Sequence, residues 1–258
     1  GDKWDKDQIL EKVQSLSLSY EDAMLPAGYM PIDHRVDDGS LTGSDFADFL
    51  EGKVEGGDTL RGWGGNDILV AKGSDNILMG YDGDDLLIGS GELYGDAGND
   101  TYRPDMNGTD TRIFNNGARG DVDVVELASE ITPDQISVVR QSQQSVALVF
   151  SDASKLVLED FYTSAIKEVR FANGTVWTDA DIRIQAETPT EGDDRLYANE
   201  AGSIIDGGSG NDQLYSGSGN DGLTGGLGND RYHFYSGFGQ DSINNQGGGL
   251  DQIVIEGL

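Results

Sequence analysis

From Gly43 onward the chain repeats itself every nine residues. The blocks read GSDFADFLE, GKVEGGDTLR with one extra residue, GWGGNDILV, AKGSDNILM, GYDGDDLLI, a shortened GSGELY, and GDAGNDTYR. The register returns as PTEGDDRLY, ANEAGSIID, GGSGNDQLY, SGSGNDGLT and GGLGNDRYH. An acid or amide recurs at Asp48, Asp58, Asp67, Asn76, Asp85 and Asp100, then at Asp194, Asp212, Asp221 and Asp230, with Ser203 as the exception. Two residues after each lies an apolar side chain: Leu50, Leu60, Leu69, Leu78, Leu87, Tyr102, Leu196, Ile205, Leu214, Leu223 and Tyr232. Such a unit spares only about three residues for a strand, too few to bury a face alone, so the period demands a solenoid whose neighbouring coils share one core.

Two turns and two strands close a coil of 18 residues, which places Asp67 over Asp85 and Asp194 over Asp212 over Asp230. A three-residue contraction brings Asp85 over Asp100. Carboxylates stacked at about 4.8 Å repel one another unless a cation lies between them. The glycines before each acid let successive carbonyls turn toward a common centre. Carboxylate and carbonyl oxygens without nearby His or Cys form a hard site that suits Ca²⁺ better than Zn²⁺, Cu²⁺ or Mg²⁺.

Charge points the same way. Lys and Arg number 17 against 47 Asp and Glu, a formal charge of -30 that repels nucleic acid and anionic membranes and attracts cations. No cysteine is present, so disulfides and thiolate metal sites are excluded. No apolar run reaches the roughly 18 residues of a membrane span, and GDKWDKDQILEK lacks the features of a secretory signal peptide.

Three segments lie outside the nine-residue register. In residues 1–38, Ile9, Val13, Leu16 and Tyr20 share one face of a short predicted helix, followed by a linker with Pro26, Gly28 and Pro31. Residues 131–185 predict a small antiparallel β segment from ISVVRQ, SVALVF, KLVLEDF and EVRF, with Asn173-Gly174 as a hairpin turn and TDADI as a capped helical turn. The stretch from Gly98 to Leu127 aligns with that from Gly228 to the end, pairing Asp100 with Asp230 and Asp123 with Asp251. A unit of about 130 residues is therefore repeated, and the second copy stops short, as expected for a fragment of a longer protein.

GGSGNDQLY and GGLGNDRYH match the pattern G-G-x-G-x-D-x-U-x nearly position for position. On these residues the sequence resembles the RTX (repeats-in-toxin) calcium-binding family, and DVDVVEL through FANGTVWT resembles the hemolysin-type calcium-binding-related domain that accompanies such repeats. The resemblance implies an all-β fold: two parallel β-roll (solenoid) arrays over residues 39–103 and 186–233, separated by a roll cap and small antiparallel β domain over 104–185. A short N-terminal helix and linker over 1–38 and the start of a second cap over 234–258 complete it. It implies several bound Ca²⁺ ions, roughly five or more.

Carried over by position, the carboxylate ligands would be Asp48, Asp58, Asp67, Asp85, Asp100, Asp194, Asp212, Asp221 and Asp230. Turn carbonyls would come from Gly62, Gly64, Gly65, Gly80, Asp82, Gly83, Gly95, Ala97, Gly98, Gly207, Ser209, Gly210, Gly219, Gly225, Leu227 and Gly228. Departures mark weak points: Phe46 and Ser74 replace the fourth-position glycine, Asn76 and Ser203 replace the acid, and the side bearing Asp58 and Asn76 is expected to bind ions poorly. The resemblance further implies a secreted, extracellular protein of a Gram-negative bacterium, handled by type I secretion machinery and folding on calcium outside the cell.

An enzyme is the main rival. No H-E-x-x-H, G-x-S-x-G or P-loop motif is present, and His34 and His233 lack an evident nucleophile, so the chain is expected not to be catalytic. A calcium-dependent glycan- or host-surface-binding module is the other alternative, with Trp63, Tyr81, Tyr94 and Tyr215 as candidate stacking residues. Trp63 holds a second-position place usually filled by glycine and is expected to project outward. Toxin, adhesin and exoenzyme remain open as the parent.

Overall fold

The computed structural model describes residues 30–31, 39–106, 108–117, 120–163, 166–199 and 201–257. The helix expected near residues 9–20 lies outside them. The described residues divide into two compact units, one within residues 1–132 and 164–176, the other within residues 133–163 and 177–258.

In the first unit, strands Asp48–Glu51, Ile68–Val70, Leu86–Gly89, Thr101–Pro104, Val124–Glu126 and Glu168–Arg170 run parallel in one sheet. Ser40–Thr42, Thr59–Gly64, Asn76–Asp82, Gly91–Ala97 and Thr111–Phe114 form a second parallel ladder. The register stacks one inward side chain per coil. Leu50, Leu69, Leu87, Tyr102, Val125 and Val169 make one column, Leu60, Leu78, Leu93 and Ile113 the other, and all are fully buried. Each has neighbours above and below, so a strand of three or four residues belongs to a continuous core.

Parallel pairing extends beyond the nine-residue register at both ends. Met30–Pro31 pairs with Asp48 and Phe49, and residues after 103 continue both ladders. Leu93, in the shortened GSGELY block, occupies a full core position opposite Leu78.

The second unit stacks Arg195–Tyr197, Gln213–Tyr215, Arg231–Tyr235 and Gln252–Glu256 in one parallel sheet, and Ile204–Asp206, Gly222–Thr224 and Ser242–Asn244 in another. Leu196, Ile205, Leu214, Leu223, Tyr232 and Phe234 form its core. This unit also holds an antiparallel meander of Ile136–Arg140, Val146–Phe150 and Lys155–Glu159.

The four strands expected in the antiparallel segment between the arrays are divided in their pairing. The first three fall within the compact unit of the second stack, whereas EVRF pairs in parallel with Val124–Glu126 of the first. The main-chain donors of strand 124–126 would otherwise face an open edge, and Glu168–Arg170 covers them. TDADI opens a nine-residue helix, Asp179–Glu187, rather than a single turn. Thr178 and Asp181 exchange the two hydrogen bonds of a capping box, and Ile182 and Ala186 bury one face.

Candidate metal centre

Along one edge of the first stack, each sixth-position acid holds the coil before it. The backbone N–H of Asp48 donates to Asp67 Oδ1 (2.7 Å), that of Asp67 to Asp85 Oδ1 (2.8 Å), and those of Asp85 and Asp100 to Oδ1 of Asp100 and Asp123 (2.9 Å each). The second stack repeats the device through Asp194, Asp212, Asp230 and Asp251, at 2.9, 3.0 and 2.8 Å. One carboxylate oxygen is thus used by the fold itself.

The other oxygen is the chemical signal. Asp67 Oδ2, Asp85 Oδ2, Asp212 Oδ2, Asp230 Oδ2 and Asp48 Oδ1 are buried and accept no hydrogen bond. An anionic oxygen withdrawn from water without a donor is strongly unfavourable, and a bound cation removes the penalty. Backbone oxygens converge on the same places: a methyl group built on Gly62 would collide with Asp67 Oδ2 and lie 2.8 Å from the Gly80 carbonyl oxygen. On Gly207 it would collide with Asp212 Oδ2 and lie 2.7 Å from the Gly225 carbonyl. The first-position glycine is therefore required by the close approach of oxygen atoms. The fourth-position glycine is required by conformation, since Gly65, Gly83 and Gly98 have φ of 104°, 132° and 135°.

Third-position carbonyls are partly engaged. Those of Asp82, Ala97 and Leu227 accept the N–H groups of Gly65, Gly83 and Gly210 at 3.0, 2.8 and 2.9 Å, each leaving a second lone pair. Among the described residues no three His, Cys, Asp or Glu side chains group closely enough to hold an ion. A cation on this edge must draw most of its shell from main-chain carbonyls, a hard all-oxygen environment that fits Ca²⁺.

A sequence profile of the RTX calcium-binding nonapeptide repeat, in four copies, matches residues 42–78, 70–91, 92–104, 189–223, 197–232 and 206–243. The chain carries RTX calcium-binding repeats. It is 32% identical over 110 residues to the iron-regulated protein FrpA of Neisseria meningitidis serogroup C, a match over 40% of this chain and 10% of that protein, so the chain spans about a tenth of that relative's length. The extracellular lipase LipA of Serratia marcescens matches with 18% identity over 89% of this chain and 35% of the lipase, at a TM-score of 0.26. That likeness is too slight to bear on this chain.

The RTX carboxylates differ in how fully their own turns satisfy them. The Lys53 N–H donates to Asp58 Oδ2, Thr190 N–H to Asp194 Oδ2 (2.7 Å), and Gly217 N–H to Asp221 Oδ2 (2.9 Å). Asp48 Oδ2 accepts both the N–H and the hydroxyl of Ser44, at 2.6 and 2.9 Å. The acids inside the stacks, Asp67, Asp85, Asp212 and Asp230, lack such a donor on Oδ2.

Electrostatics follow from that burial. Desolvation pushes the Asp67 carboxyl up to about 7 and that of Asp85 up to about 8, with smaller contributions from facing acids, Asp48 for the former and Asp100 and Asp67 for the latter. Asp212 moves the same way for the same first reason. In metal-free protein the fold keeps protons that the unfolded chain releases near pH 4, so folding binds protons between about pH 4 and 8 and stability falls as pH rises through that window. Osmolyte-induced folding of metal-stripped protein should accordingly have its midpoint at lower osmolyte concentration at pH 5 than at pH 8. At pH 7 calcium uptake should release protons, measurable by calorimetry in buffers of different ionisation enthalpy; a midpoint independent of pH would contradict this.

Three features of the RTX turns escaped sequence reasoning. The fifth-position residue forms an exposed second ladder: Asn66 Oδ1 accepts from Asp84 N–H (3.0 Å), Asp84 Oδ1 from Asn99 N–H (2.8 Å), and Asp193, Asn211 and Asn229 repeat it in the second stack. The recurring Gly-Asn-Asp and Gly-Asp-Asp triplets carried that signal. Asp241 extends the other edge of the second stack, that of Ser203 and Asp221, accepting the Asp221 N–H at 2.9 Å and leaving Oδ2 buried without a hydrogen bond. Finally, Tyr102 and Tyr232, at positions otherwise Leu or Ile, reach the turn and accept the N–H of Gly95 and Gly225 at 3.0 Å.

Of the candidate stacking residues, Trp63 projects outward as expected and Tyr215 does not. Trp63 is 51% exposed and stacks on Tyr81 at 5.2 Å, both with left-handed backbone. Tyr215 is only 7% exposed, held between Tyr197 and His233 at 4.3 Å on each side, so neither it nor His233 decorates the surface.

Proposed function

We propose that this chain is the calcium-dependent folding region of a larger secreted bacterial protein, carrying no catalytic centre itself. The parent is a toxin, adhesin or exoenzyme passed through type I secretion machinery to the outside of a Gram-negative cell. One observation supports this most: buried carboxylate oxygens without donors recur along one edge of each stack, facing main-chain carbonyls. Ions would be held chiefly at Asp67, Asp85 and Asp100 in the first stack and at Asp212 and Asp230 in the second, completed by the turn carbonyls of Gly62, Gly80, Gly207 and Gly225. The bound ion supplies positive charge between stacked turns. The protein's part is to bring the oxygens together and exclude water, and the acids give up their protons as the ion enters.

Sites of the extracellular class bind at roughly 10⁻⁴ to 10⁻³ M, so they stay empty in cytoplasm and fill outside the cell. The competing reading, calcium-dependent binding to a glycan or host surface, has the exposed Trp63 ring in its favour. Equilibrium dialysis against calcium should find roughly five ions per chain at millimolar concentration, with magnesium a poor substitute. Fewer than two ions, or equal uptake of magnesium, would sink the proposal.

A further inference from the structure

The two edges of the first stack are built differently. On one, Asp48, Asp67 and Asp85 each keep a buried oxygen without a donor; on the other, Asp58, Asn76 and Ser90 leave none. Asn76 is the centre of that difference. It is 1% exposed, and its Oδ1 accepts the Asp58 N–H at 3.1 Å, taking over the ladder bond that a carboxylate oxygen makes elsewhere. Its Nδ2 points the other way, toward the carbonyl oxygens of Lys72 (3.3 Å), Gly73 (3.3 Å) and Ser90 (3.2 Å). The amide can face only one way, because its oxygen meets an N–H and its nitrogen meets three carbonyls.

Main-chain carbonyls converging on one point from two successive coils are what a calcium ion would require of this turn, and here an amide NH₂ sits at that point. The shortened GSGELY block belongs to the same arrangement. Deleting three residues brings the Ser90 carbonyl to the amide, and the buried Ser90 hydroxyl donates to Gly73 O at 2.8 Å. Asp58 Oδ2 is meanwhile taken by the Lys53 N–H.

We infer that the Asn76 side-chain amide is a built-in substitute for a cation, so that this edge of the first stack is held without metal while the opposite edge depends on it. The inference rests on the proposed calcium-dependent reading of the other turns. It goes further by making one atom, nitrogen in place of oxygen, the determinant of whether this turn takes an ion. Asn76→Asp puts a carboxylate oxygen where the donor stood, facing three carbonyls, and creates the demand for a cation.

The test compares wild type, N76D and N76A by equilibrium dialysis and by urea unfolding at low and at saturating calcium. N76D should bind one calcium more than wild type. Its folding midpoint should shift to several-fold higher calcium, and its stability relative to N76A should rise as calcium is raised. N76A should be weakened at every calcium concentration and gain no ion. An N76D chain that folds with the wild-type ion count overturns the inference, as does one that calcium rescues no better than N76A. Wild type failing to bind calcium would instead overturn the underlying reading, so the two failures are distinguishable.

Discussion

Removing calcium should convert this chain from a folded to a largely unfolded state, with loss of the far-ultraviolet β signal and of slowly exchanging amides. A site with a dissociation constant near 10⁻⁴ M contributes about 1.4 kcal/mol at 1 mM calcium through mass action, and five such sites contribute about 7 kcal/mol. That is comparable with the whole stability of an ordinary domain. Two features make the metal-free fold poor in its own right. The formal charge is -30, and each stack interior holds carboxylate oxygens with no donor to replace water. Circular dichroism titrated with calcium against chelator should show a steep, cooperative gain of β structure, because each ion joins two coils and each coil buries the next. A chain that keeps its full spectrum in chelator would exclude calcium-gated folding.

Asp85→Asn should reverse sign with calcium. The substitution keeps Oδ1 for the Asp67 N–H and changes only the atom facing the next turn. In saturating calcium the variant loses the anionic ligand that serves the turns on either side, and two weakened sites cost about 3 kcal/mol. In metal-free buffer the order inverts. The wild-type carboxyl, pushed up to about 8 by burial, must hold a proton or remain as a buried charge at neutral pH, whereas the amide is neutral. Asn76 shows that an amide can occupy the equivalent place in a turn. Urea unfolding with calcium, and osmolyte-induced folding without it, should therefore rank wild type above D85N in the first case and below it in the second. The same rank in both would show that the carboxylate does not work through a cation.

Much of this site was legible without coordinates because the repeat is so short. With nine residues per unit, the spacing that puts Leu60 opposite Leu78 also puts Asp67 over Asp85, and no other register buries the leucines. The identity of the ion followed from donor chemistry, since a chain without cysteine that stacks Asp among glycines can offer only oxygen. The departures are visible too, since Asn76, Ser74 and the short GSGELY block break the nine-residue pattern, but the pattern does not say what replaces the acid chemically.

What only the tertiary structure decided lies where periodicity ends or where one atom must be placed. EVRF reads as one more strand of an antiparallel sheet, yet it pairs in parallel with Val124–Glu126, because the end of the first stack presents open main-chain groups that a local pattern cannot reveal. Tyr215 reads as a candidate surface stacking residue, yet ring stacking along the ladder buries it together with His233. The sequence determined the period, the two leucine columns and the carboxylate edge, since each depends on spacing alone. Which turns lack a donor for their second carboxylate oxygen, and that Asn76 fills such a place with an amide, depends on the direction of individual atoms across neighbouring coils. Only the packed structure sets those directions.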